Sequence, residues 1–210
     1  MSDSVRDVGC LRRQGWIFIA AGLLAGCGSS QPIHFHTLMP TAELMSAKTP
    51  RPAFVIDVRP VGVPAEADRQ PLVLRSGSAI NLIENERWAA PLGDELRSAM
   101  SARLTRELGT EDIGDHALSS DIFVLKIRID VRRFDAVFAE HVSIEATWTM
   151  RSSRGDSVDV VCSSEQHLAV GSGYNALVDG YQQMLDGLAA NIASSARRLM
   201  DGSSRSCADS

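Results

Sequence analysis

The sequence has no apolar run long enough to cross a bilayer. Trp16 to Leu24 is nearly unbroken in apolar character but short, and a hydrocarbon core of roughly 30 Å needs about 20 such residues. It also lacks a basic cluster and carries a formal charge of −5, which argues against nucleic acid as the main partner. The four cysteines contain no C-x-x-C pair and the five histidines are scattered, so a metal site is not expected. Neither a G-x-S-x-G elbow nor an H-E-x-x-H helix occurs, and without those nucleophile or zinc signatures the chain does not read as an enzyme. Internal repeats and low-complexity blocks are missing as well.

What is present begins at the N-terminus. Arg12 and Arg13 precede the apolar run, and a basic segment followed by about 7–15 apolar residues is the pattern of an export signal. The run ends at Leu24-Ala25-Gly26-Cys27, which resembles the lipobox of bacterial lipoproteins. That resemblance implies a signal peptide over residues 1–26 and lipidation of Cys27 by a diacylglycerol on the thiol and an acyl chain such as palmitate on the new amino group. No other cofactor is expected. Gly28 stands where an aspartate would retain such a protein at the inner membrane, so the resemblance implies a lipid-anchored protein on the periplasmic face of the outer membrane. Residues 27–32 then form the lipidated anchor and tether.

Loss of the leader, with its three Arg and two Asp, moves the formal charge to −6 and leaves 184 residues. That length suits a single domain able to bury about 70% of its unfolded surface without a staple. Of the cysteines left besides Cys27, Cys162 and Cys207 can pair in the oxidising periplasm, bringing a polar tail back onto the sheet. The alternative is a buried Cys162 thiol and an unpaired Cys207.

Residues 33–202 carry the periodic signals. Ile33 and Phe35 alternate with His34 and His36, a first strand. The two histidines share a face and could ligate a metal, but no carboxylate or third ligand lies nearby in sequence, which favours a solvated face. A second strand presents Phe54, Ile56 and Val58 on one side, with Asp57 and Arg59 on the other, and ends at Pro60 and Pro64. Two brief strands follow, Leu72–Arg75 and residues 79–85. Glu84 and Glu86 share a face if the second extends, with no sign of a cleft around them.

The period then changes. Trp88, Leu92, Leu96, Met100, Leu104 and Leu108 recur every fourth residue as a helical ridge, with Pro91, Asp94 and Glu95 suited to its start and Gly109 to its stop. Three long strands alternate apolar and polar residues over 121–134, 141–150 and 158–170. Such alternation means one covered and one wet face. A helix from Tyr174 to Met200 has an i, i+3, i+4, i+7 stripe, and the serine-rich tail 203–210 reads as mobile. The expected class is α+β: a two-layer sandwich, mainly antiparallel sheet with two long helices packed on one face.

Three short motifs occur in order. Asp68-Arg69-Gln70-Pro71 precedes a branched run, Arg87-Trp88-x-x-Pro91-Leu92 opens the helix, and Arg133-Phe134-Asp135 ends a strand. With the lipobox, they resemble the ABC-type transport auxiliary lipoproteins (PqiC/YmbA-like), whose commoner form has Gln and Pro in the opposite order. The resemblance spans nearly the whole mature chain. It implies an outer-membrane auxiliary component that docks an MCE-domain protein, served by an ABC or PqiA-like permease, in the transport of lipids or other hydrophobic molecules. It also implies homo-oligomerisation through sheet edges to match a ring-shaped partner.

Asp68, Arg69, Arg75, Arg87, Trp88, Arg133 and Asp135 are the candidate docking residues. The plainer reading makes the first three a surface turn with paired charges, Trp88 a core anchor, and Arg133–Asp135 a bulge that turns Phe134 inward. Two alternative functions stay open: a lipoprotein holding an apolar ligand between helix and sheet, and a structural lipoprotein of envelope assembly.

Overall fold

The computed structural model describes residues 31–41, 54–114, 123–153, 159–202 and 207. The lipobox and Cys27 lie outside them, as does most of the tail. Every element below belongs to the unit formed by residues 33–210.

Among the described residues the strands are β1 (His34–His36), β2 (Phe54–Val58), β3 (Pro71–Ser76), β4 (Ala79–Trp88), β5 (Phe123–Val137), β6 (His141–Ser152) and β7 (Val160–Ala169). The helices are α1 (Leu92–Leu108) and α2 (Tyr174–Met200). The class is α+β, as the periodicities imply, but the strands divide into two sheets. A four-stranded sheet runs β2-β5-β6-β7 and a three-stranded one runs β1-β4-β3. Each sheet is antiparallel apart from one short strand added in parallel: β2 beside β5, and β1 beside β4.

The long strands follow from their alternation. Leu125, Ile127 and Ile129 in β5 and Val142, Ile144, Ala146, Trp148 and Met150 in β6 are almost wholly buried. Their neighbours Lys126, Arg128 and Arg151 are exposed. Both helices lie over the covered face. Helix α1 buries the expected leucine and methionine ridge, starts after Pro91 and ends at Gly109 in a left-handed turn (φ 63°), a conformation that suits glycine. Helix α2 comes so close to the sheet at Gly180 that a Cβ there would sit 2.6 Å from Val170 Cγ1 and 3.0 Å from Val142 Cγ2. Glycine is what permits that approach.

Trp88 corrects the sequence reading. It ends β4 instead of opening the helical ridge, and only 2% of it is exposed. Its indole meets Phe134 and Tyr181 edge-on at 6.1 and 6.2 Å, while those two rings stack at 3.9 Å. Burial pushes the Tyr181 hydroxyl well above its usual pKa, and the Asp135 charge adds to the effect.

Arg103, which the ridge pattern did not single out, is buried inside this layer. Its guanidinium donates to Asp186 (2.8 Å), to the Leu38 carbonyl (2.9 Å) and to the Gln182 carbonyl (3.2 Å). One side chain therefore ties α1 to α2 and to the segment after β1. Cys162 and Cys207 are bridged, so residue 207 of the expected mobile tail is tied to β7.

Candidate functional site

Among the described residues, an open groove of about 510 Å³ lies between the turn at Pro64–Ala67, the end of β3 and the distal part of β5. The bulge in β5 makes it. Strand register shifts between Val131 and Arg133, so Arg132 and Arg133 both point to solvent while Val131 and Phe134 both point inward. Strict alternation would have buried Arg133 and exposed Phe134. The extra residue instead sets two arginines side by side outside and keeps the aromatic core closed.

Asp135 is the hub of the groove. Its Oδ1 accepts from Arg75 Nη2 at 3.0 Å, its Oδ2 is 3.9 Å from Arg133 Nε, and Arg133 reaches on to Glu165 at 3.2 Å. The hydrogen bond to Asp135, with its charge, holds the Arg75 guanidinium above its ordinary pKa. Arg75 Nε is buried and has no partner there. The structure thus brings Arg75, Arg133 and Asp135 together from strands some 60 residues apart, and adds Glu66 and Arg132, which the motifs did not flag.

The other docking candidates lie around or beneath the groove. Asp68 and Arg69 sit on the adjoining turn and are exposed. The Asp68 Oδ1 lies 3.9 Å from where a Cβ on Gly93 would stand, close to the positive start of α1. Trp88 lies under the groove wall with Phe134, out of a partner's reach. Arg87 turns away to the Glu84 carbonyl at 2.8 Å.

A second concavity, about 530 Å³, opens beside β1 and the start of α2. Here the expectation of a solvated histidine pair is corrected. In the parallel β1–β4 register His34 stands opposite Glu86, whose carboxylate takes His34 Nδ1 at 2.8 Å and His36 Nε2 at 2.6 Å. Glu86 is 6% exposed as a side chain. Burial pushes its carboxyl upward, but the hydrogen bonds and charge of the two histidines outweigh that and hold it below the ordinary carboxylate range. The partner carboxylate lies about 50 residues away in sequence and is brought in by a parallel pairing. Among the described residues no group of three His, Cys, Asp or Glu is arranged to hold a metal ion.

A family model described as the ABC-type transport auxiliary lipoprotein component matches residues 36–193. A search of curated proteins gives no match. Among solved structures, one described only as an uncharacterized protein is similar at a TM-score of 0.58 and 21% identity, covering 79% of this chain and 99% of its own. A Xanthomonas campestris protein of family DUF330 is similar at a TM-score of 0.56 and 17% identity, covering 82% of this chain and 95% of its own. At those identities the two structures speak for the fold.

Proposed function

The chain belongs to the ABC-type transport auxiliary lipoprotein family, and from that premise we propose that it is the outer-membrane docking component of an MCE-type transport system for lipids or other hydrophobic molecules. In this reading Cys27 carries the lipid, residues 1–26 are removed, and the folded body receives the distal end of a periplasmic conduit powered through a permease. Recognition requires no reaction at any residue.

The observation that carries this reading is the contrast between a filled interior and an open, ionic groove. The space under β3, bounded by Leu72, Leu74, Trp88, Phe134 and Tyr181, has a volume of about 10 Å³, room for a single water at most. A site holding a drug-sized or larger apolar molecule needs roughly 300–1,000 Å³. That space cannot hold a lipid chain, so the alternative of a carried ligand in this layer loses support. The groove, by contrast, offers arginines whose planar, multi-donor heads suit protein interfaces.

The test is co-purification of an MCE-domain protein with the full-length, lipidated chain. Wild type should retain the partner, and Arg75→Glu with Arg133→Glu should lose it while keeping wild-type circular dichroism. Retention by the double variant would overturn the groove as the docking site. Failure of wild type to capture any MCE-domain protein, with no loss of tolerance to hydrophobic compounds on deletion, would overturn the docking role.

A further inference from the structure

The end of the body that carries β1 bears apolar side chains with no partner among the described residues to cover them. Ile33 is 47% exposed and Phe35 60%, on the same side of the chain. Phe35 and Tyr174 line one concavity with His34 and Gly173. Tyr174 in turn meets Phe138, 44% exposed at the β5–β6 turn, with ring centroids 5.3 Å apart. Three separate parts of the chain thus converge on one aromatic surface, where isolated exposed residues would need no explanation.

We infer that this surface, formed by Ile33, Phe35, Phe138 and Tyr174, rests in the interfacial layer of the bilayer that holds the protein's lipid anchor. Two observations identify the occupant. The first is chain length. Ile33 stands six positions after Cys27, a reach of at most about 20 Å when extended. A body of this size is roughly 40 Å across, so the tether keeps its β1 end at the membrane. The second is charge. Helix α2 starts at the same place, over 27 residues, with no acidic residue in its first turn and no side-chain cap. Its N-terminal amides carry partial positive charge. Arg87 stands opposite Phe35 in the β1–β4 register. Arg87 is itself paired with Glu84 at 3.6 Å, and Glu86 in the same concavity is taken up by the two histidines. Glu140 shares the turn with Phe138, so the positive character of this end rests on the helix start. Aromatic rings beside a positive helix start match a phospholipid surface, with apolar faces sinking about 5–10 Å to the headgroup–acyl boundary.

This inference rests on the lipidation of Cys27, and the test separates the two. The full-length chain is made in a lipidating host, purified, and bound to vesicles of phosphatidylethanolamine and phosphatidylglycerol, with or without acyl-brominated phosphatidylcholine. The single changes Phe138→Trp and Phe35→Trp report on the surface. Ile80→Trp, six residues before Glu86 on β4 and so about 20 Å away along the strand, is the control. The parent's fluorescence is subtracted. Bromine should quench the indoles introduced at 138 and 35 at least about twofold more than the one at 80, as insertion to that depth requires. Protein that floats with vesicles but shows equal quenching at all three positions overturns the inference and leaves lipidation intact. Protein that does not float, with an unmodified Cys27 by mass spectrometry, overturns both.

Discussion

Arg103 and Arg75 each meet a carboxylate at hydrogen-bond distance, 2.8 Å to Asp186 and 3.0 Å to Asp135, yet they do opposite work. The Arg103 side chain is 1% exposed and saturated by backbone carbonyls from two other parts of the chain. Burial lowers its pKa, and Asp186 offsets part of that cost. The Arg75 side chain is 36% exposed and shares its carboxylate with Arg133. A buried guanidinium bonded at all three nitrogens fixes geometry. A half-exposed one in an open groove keeps donors for another molecule, and its existing pair contributes little to folding. The same residue type thus marks the inside of the fold and its face to the outside.

The sharpest way to break this comparison is Arg103→Met. The change leaves the Leu38 and Gln182 carbonyls short of a donor, and urea unfolding should show a loss of about 3–4 kcal/mol. A loss below about 1 kcal/mol would place Arg103 in the same class as the groove arginines.

A smaller effect is expected at Glu86, because one of its two histidine partners, His34, is largely exposed. Its folded pKa is lowered, so the stability it contributes is present above the ordinary carboxylate range and lost as pH falls through the lowered value. Wild type should exceed Glu86→Gln in stability at pH 7, and the gap should close below about pH 4. Chemical denaturation at the two pH values checks this, and a gap that widens in acid would reverse the sign. The smallest effect belongs to the groove. Arg75→Ala with Arg133→Ala should change stability by less than about 1 kcal/mol, so any loss of partner binding would be read at constant fold.

Much of the fold was legible because its signals are local. The alternation in β5, β6 and β7 named the buried residues, and the Leu177-to-Leu199 stripe gave α2. The Arg133-Phe134-Asp135 motif pointed to a bulge before any pairing was known. What stayed hidden depended on long-range pairing. β3 and β4 pair with each other and not with β5, while β1 and β2 go to different sheets as parallel partners, and parallel partners leave no hairpin signature in sequence. The same pairing hid Glu86, which looked like part of a polar strand face until β1 brought two histidines to it. Trp88 fell by accident on the four-residue ridge of α1, although Pro91 set the helix start beyond it. Arg103 lay one place before Leu104, where a charged residue is expected to face water, and only the packing of α2 and the 37–39 segment shows otherwise. Of the groove, three residues were legible as motif members. Glu66 and Arg132 came into view only through their neighbours in space.

The bridge between Cys162 and Cys207 bears on when the molecule is finished. Strand β7 is an outer strand of the larger sheet, and such a strand is a ready template for another chain. Cys207 lies against it, its sulfur also near the Val161 carbonyl, while Val161 is itself 60% exposed. A reducing cytosol cannot fasten that guard. Until the bond forms, that flank of β7 is open, and oxidation closes it. Oxidation thereby acts as the last step of assembly, with Cys207 serving as the latch.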